Sequence, residues 1–239
     1  MKLVEVVIKE RELIDSRKNW VMITGFPGFG YVGTIATRYL AETLSMPKVG
    51  DVITRYMPDF ASIEDYGVMT PYEVFADAGK GVIVVVNNVA PSARERVAYA
   101  KELLRWFKEV GGSRVILAAG LNNKYREGEE RFRWMCVGDC GWSFDEPLFK
   151  GMYIVGPAAT LLTMANLMSV PLLGILPYTE PAKYDPKAAA VFVEVVSDLL
   201  GLGVSVDKLM EFAKVVEDIE KTVERALSEE ESRKPSLYM

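Results

Sequence analysis

The chain has 239 residues, 50% of them hydrophobic and 26% charged, with a formal net charge of −5 and a pI near 5.1. Such a chain can build a core without disulfides or metal, and its mild acidity gives no counterion-release drive toward nucleic acid, which excludes nucleic acid as the main partner. Histidine is absent, which removes Ser–His–Asp and Cys–His nucleophile activation, histidine metal ligation and histidine acid–base work.

No apolar run is long enough for a membrane span; the stretch 82–86 is short and β-branched, the mark of a buried strand. Met1-Lys2-Leu3-Val4-Glu5 carries charges where a signal peptide needs an apolar stretch, which points to the cytoplasm. Glutamine is absent too, and that scarcity of thermolabile amides fits a heat-adapted source, although 11 methionines pull the other way.

In chain order, the apolar patterning predicts strands over 3–8, 20–24, 52–56, 72–76, 82–87, 114–119, 153–155 and 172–176. It predicts helices over 31–44, 93–110, 158–168, 186–200 and 207–227. Ser92 and Asp185 read as N-caps, and Gly111-Gly112 ends the second helix. Strands alternating with helices give an α/β, three-layer sandwich with a largely parallel central sheet. We expect one domain over 1–231 and a C-terminal tail over 232–239.

The segment 122–150 breaks the alternation. It is charged first (Lys124, Arg126, Glu127, Glu129, Glu130, Arg131) and then rich in aromatics and glycine (Trp134, Gly138, Gly141, Trp142, Phe144). An excursion of this kind is either a functional or oligomer surface or a solvated insertion with an aromatic anchor. It holds Cys136 and Cys140, the only two cysteines. Two thiolates without histidine make a poor zinc site. They read first as small half-buried residues and second as a disulfide.

The sharpest motif is Gly25-Phe26-Pro27-Gly28-Phe29-Gly30-Tyr31-Val32-Gly33, between a strand and a helix. Gly28, Gly30 and Gly33 match G-x-G-x-x-G, the dinucleotide fingerprint, with Asp51 further on as a tempting ribose ligand. Three features argue against a nucleotide. Asp51 reads as the start of the next strand, whereas a ribose acid belongs at its end. Pro27 removes a backbone N–H from the cradle. Phe26 and Phe29 crowd the glycines where a pyrophosphate needs close approach. We therefore read Gly25, Pro27, Gly28, Gly30 and Gly33 as a structural loop for tight turning and helix-on-sheet packing, with no cofactor and no metal.

This Gly-Phe-Pro-Gly-x-Gly-x-Val-Gly loop resembles the signature of the proteasome assembly chaperone family, in particular its second-chaperone type and archaeal branch. Supporting blocks are Gly156-Pro157-Ala158-Ala159-Thr160-Leu161-Leu162, Val170-Pro171-Leu172-Leu173-Gly174-Ile175-Leu176-Pro177-Tyr178-Thr179 and Tyr184-Asp185-Pro186-Lys187-Ala188-Ala189-Ala190. The closing helix around Asp207 to Glu220 also matches, so the likeness runs from about Val4 to Glu220. It implies a nucleoside-phosphorylase-like sandwich and a binding protein rather than an enzyme. Glu180, Lys183 and Asp185 are the best catalytic candidates, and their ordinary role is turn chemistry and capping.

The last residues, Leu237-Tyr238-Met239, fit the hydrophobic–Tyr–any ending of proteasome activators and some assembly chaperones. The resemblance implies that the terminal carboxylate pairs with a lysine between outer-ring (alpha) subunits while Tyr238 supplies an apolar face and a hydroxyl. From Ser232 onward the tail reaches about 25 Å if extended, enough to dock in a partner or to fold back on its own domain. The preceding helix carries Leu209, Phe212, Val216, Ile219, Val223 and Leu227 at spacings of three and four. That stripe and the 122–150 segment offer more apolar surface than a monomer need hide, which points to a homo-oligomer. The competing readings are a nucleoside-phosphorylase-like enzyme or small-ligand binder using the glycine loop and the 87–91 loop, and an adaptor with its tail sequestered.

Overall fold

The structure, a computed structural model, describes the backbone of residues 3–232 and the side chains of residues 3–219. Its elements in order are β1 (Val4–Ile8), α1 (Arg11–Asp15), β2 (Trp20–Gly25), α2 (Val32–Thr43) and β3 (Lys48–Thr54). A hairpin of β4 (Ser62–Glu64) and β5 (Gly67–Met69) follows, then β6 (Tyr72–Asp77), β7 (Val82–Asn87), α3 (Arg96–Glu109) and β8 (Gly112–Ala118). The second half holds β9 (Leu121–Asn122), β10 (Phe132–Val137), α4 (Gly156–Leu167), β11 (Leu172–Thr179), α5 (Pro186–Leu200) and α6 (Asp207–Ser232).

Eight strands lie in the order β1-β3-β6-β7-β2-β8-β11-β10, and β9 pairs with the end of β11 to complete a nine-stranded sheet. The centre is parallel: β2 pairs in parallel with β7 and β8, and β8 with β11. The flanks, β1-β3-β6-β7 on one side and β10 on the other, are antiparallel. A central parallel strand is covered on both faces, and β7 (VIVVVN) is buried throughout. Its alternate residues part company as the pleat requires. Ile83 and Val85 join Leu103 and Leu161 in the layer of α3 and α4, while Val84 and Val86 join Val32 and Phe192 in the layer of α2 and α5. Helices on both faces give the three-layer α/β sandwich. Helix α6 lies against α5 through buried Leu209 and Ala213. Among the described residues no helix is long and apolar enough to cross a membrane.

The expected third strand, 52–56, is shifted to Lys48–Thr54, because Thr54 pairs with Val4 at the very start of β1. Residues 153–155 form no strand; they run extended into α4 with Tyr153 almost fully exposed. Ser92 is a turn residue rather than a cap. Its hydroxyl accepts from the Arg94 N–H, and α3 starts later because Glu95 is held elsewhere, accepting from the Thr54 hydroxyl (2.8 Å) and the Tyr56 N–H (3.1 Å). Asp185 does cap α5: its Oδ1 accepts from the Ala188 N–H at 2.9 Å. Cys136 and Cys140, read first as small half-buried residues and second as a disulfide, are joined as a disulfide with their Cα atoms 5.9 Å apart.

Candidate functional site

The glycine loop leaves the C-terminal end of β2, where the loops after the parallel strands converge. The first turn of α2 packs so closely on β2 that a Cβ on Gly33 would lie 2.5 Å from the backbone nitrogen of Phe26. A Cβ on Gly25 would in turn collide with the Gly33 backbone. Gly30 has φ +64°, and its Cβ would fall on the Thr179 side chain. Its carbonyl accepts from the Asp185 N–H at 3.0 Å, and the Thr179 hydroxyl donates to Asp185 Oδ2 at 2.7 Å. Asp185 therefore ties three segments: the glycine loop, the end of β11 and the start of α5. Gly28 is exposed, and the nearest atom to its Cβ position is the Phe26 carbonyl oxygen at 3.8 Å.

Behind the loop, Asn87 at the end of β7 donates to the Gly25 carbonyl (2.7 Å) and accepts from the Tyr99 hydroxyl (2.5 Å). Burial pushes the Tyr99 phenol well above its ordinary range. Phe26 turns inward onto the Tyr99 ring, with centroids 6.2 Å apart, while Phe29 and Tyr31 face solvent. Tyr31 meets Tyr184 at 5.7 Å and Tyr184 meets Phe212 of α6 at 6.2 Å, a short aromatic path from the loop to the last helix. Burial raises the Tyr184 phenol. Beside this path a groove of about 550 Å³ runs between the 123–131 segment, α5 and α6.

Asp51 sits in mid-strand on β3, two strands beyond β7, and not at the head of its strand as expected. It bonds to Lys48 at 2.7 Å and to the Thr70 hydroxyl at 2.5 Å, far from any ribose position by the glycines. Glu180 and Lys183 form an exposed pair at 3.3 Å in the turn before α5. Below α2 lies an ion cluster absent from our sequence reading. Fully buried Glu73 accepts from Arg38 (3.0 Å), Lys48 (3.0 Å), Asn88 (3.0 Å) and Tyr66 (3.2 Å). The only sequence signal was a glutamate inside an otherwise apolar strand.

The 122–150 excursion is organised by a second missed residue, Arg133 on β10. This buried guanidinium meets Glu130 (2.9 Å), Glu146 (3.2 Å), Glu127 (3.3 Å) and the Tyr178 hydroxyl (2.8 Å), and lies over the Phe149 ring at 4.1 Å. The Glu127 N–H, followed by Tyr178 and Arg133, holds the Glu130 carboxyl down at about 2. The chain then folds back over the free edge of β10, the Leu148 N–H donating to the Trp134 carbonyl at 2.7 Å. Among the described residues no group of three histidine, cysteine, aspartate or glutamate side chains is placed to hold a metal.

The fold recurs in known proteins. Residues 22–224 match the PAC2 family. The chain belongs to that family. Among solved structures it is similar to Pyrococcus furiosus PbaA, described as an archaeal homolog of proteasome-assembly chaperone. The two share 26% identity over 95% of this chain and 99% of PbaA, with a TM-score of 0.75. Pyrococcus furiosus PbaB, described as an archaeal proteasome activator, shares the fold at 23% identity, 94% and 100% coverage and a TM-score of 0.78. An uncharacterized protein of Methanocaldococcus jannaschii is 23% identical over 99% of this chain and 96% of its own length. The likeness to proteasome assembly chaperones expected from the motifs is thus borne out. Leu237, Tyr238 and Met239 lie outside the described residues.

Proposed function

We propose that this PAC2 family chain is a proteasome assembly chaperone homologue that acts by binding, as a homo-oligomer, and touches the proteasome outer (alpha) ring through Leu237, Tyr238 and Met239. The observation that carries the reading is the near full-length likeness to PbaA, in a chain whose sequence ends in hydrophobic–Tyr–any. The site geometry favours binding over chemistry. At the strand ends, where an α/β enzyme gathers its reacting groups, Asn87 is bonded to Gly25 and Tyr99, and Thr179 to Asp185, which caps α5. The chain has no histidine, and the two charged groups in the turn beside these strand ends, Glu180 and Lys183, form an exposed pair.

Several weak tails on one oligomer gain avidity through effective concentration, so self-association and tail docking support each other. The test is capture of purified core proteasome by the full chain and by a chain lacking its last three residues. The full chain is expected to retain proteasome and the shortened one to lose it. Equal retention by both would overturn the tail reading.

A further inference from the structure

The two outer edges of the nine-stranded sheet are finished differently. At the β10 edge the chain folds back over itself, whereas β1, at the opposite edge, pairs only with β3. The Arg55 N–H donates to the Leu3 carbonyl at 3.0 Å and the Lys9 N–H to the Val49 carbonyl at 2.8 Å. In an antiparallel ladder every second residue bonds to its neighbour. Glu5 and Val7 therefore bond to β3, and the N–H and C=O groups of Val6 and Ile8 point away from the sheet. Among the described residues nothing bonds to them. The strand (VEVVI) holds no proline, lysine or bulge of the kind that blunts an exposed edge.

Beside β1 lies a groove of about 420 Å³, bounded by α1 and α3. Half-buried Val6 and Ile8 and buried Trp106 give it an apolar lining. Four carboxylates also line it, Glu5, Asp15, Glu102 and Glu109, against the two guanidinium groups of Arg11 and Arg105. Arg105 is already held between Glu102 and Glu109. Glu5 and Asp15 have no ion-pair partner among the described residues.

We infer that this edge takes an extended, basic segment of another protein, added to the sheet as a further strand on β1. The outward N–H and C=O groups call for an extended chain, which alone meets them in register. Val6 and Ile8, which offer those groups, also turn their side chains into the groove, so the partner residues opposite them face it too. Lysine or arginine at those positions lays its methylene stem on Val6 and Ile8 and carries its charge to Glu102 and Glu109. The residues between, on the face of Glu5 and Val7, suit β-branched side chains. A second copy of this chain is a poor occupant, because its own β1 would bring another Glu5 and the same acidic lining onto these carboxylates.

Fluorescence anisotropy with a short capped peptide alternating valine and lysine tests this on the full chain and needs no proteasome. The peptide is expected to bind at micromolar concentration in low salt and to weaken as salt rises. A peptide alternating valine and glutamate, and the valine–lysine peptide N-methylated at its lysines, should each bind at least tenfold more weakly. In the protein, Val6→Pro removes an outward N–H and leaves the β3 ladder intact. It should weaken binding at least tenfold with melting temperature within a few degrees. Glu109→Lys should weaken the valine–lysine peptide and strengthen the valine–glutamate one. Should Val6→Pro misfold, the methylated peptide on wild type gives the same reading. Binding no tighter than millimolar would overturn the inference. Equal binding of the methylated peptide, or by a folded Val6→Pro, would overturn strand addition and leave a purely electrostatic contact. A lower oligomer mass of the protein itself on Val6→Pro, read by light scattering, would assign the edge to a second copy and overturn the inference as well.

Discussion

The glycine loop after β2 and helix α4 are both glycine- or alanine-rich, both apolar and both at the surface of a three-layer sandwich, but they are covered differently. In the loop, the space that glycines open is taken by the protein itself: Gly33 by the Phe26 backbone, Gly30 by Thr179. On α4 the inner side chains Leu161 and Ala165 are buried, while Leu167 faces outward, as does Tyr153 just before the helix. A motif composed like a ligand cradle is filled from within, and a helix rich in apolar residues is covered on one side only. Room for another molecule is therefore found not among the glycines but beside them, in the groove between the end of β11, α5 and α6.

If the loop end is locked in this way, it should respond strongly to small changes. The largest effect is expected below α2, where Glu73→Ala removes the fully buried carboxylate shared by half-buried Arg38 and Lys48 and leaves them only Glu42 and Asp51. Breaking a buried ion cluster from one side costs about 4 kcal/mol, or roughly 8–16 °C in melting temperature for a chain of this length. A loss under 1 kcal/mol would show that this end is not rigidly held. Gly33→Ala comes next. Its Cβ meets backbone rather than a flexible side chain, and such overpacking costs about 2–3 kcal/mol. Thermal or denaturant melting gives the number, and a neutral substitution would mean that the helix can slide off the strand and leave room for a ligand.

The β10 edge lies between the two extremes, and pH sharpens its place. Glu130 titrates at about 2 in the folded chain against an ordinary value of 4.5. A lowered carboxyl contributes stability that is complete above its unfolded value and is lost as pH falls through the folded one. The melting-temperature difference between wild type and Glu130→Gln should accordingly hold steady from pH 7 to about 5 and vanish as pH approaches about 2. A difference that persists unchanged at the acid end would mean that the Arg133 cluster draws nothing from the charge on Glu130.

The parts of the fold legible in the sequence were those with local causes. Strand β7 is a run of β-branched residues over 82–86, and α5 is bracketed by the Asp185-Pro186 start and by Gly201 in the left-handed region at φ +61°. What was not legible depends on distant partners. Strand β10 carries a charged residue at Arg133, and its core side exists only because β11, some way along the chain, lies beside it. Asp51 was tempting because spacing along the chain says nothing of the β7 and β6 strands that separate it from β2. Residues 153–155 have a strand's composition and no neighbour to pair with. The exposure of α4 was equally out of reach, since an apolar pattern states what a helix would bury and not whether anything covers it.

The most direct test of a protein that works through its surface is Tyr238→Ala, measured for proteasome affinity and melting temperature together. An aromatic anchor in a closed pocket is worth on the order of 2 kcal/mol, so each tail should bind on the order of 30-fold more weakly, while melting temperature and oligomer mass stay unchanged. A lowered melting temperature with unaltered proteasome binding would contradict the account, because it would place Tyr238 against its own domain rather than in the outer ring.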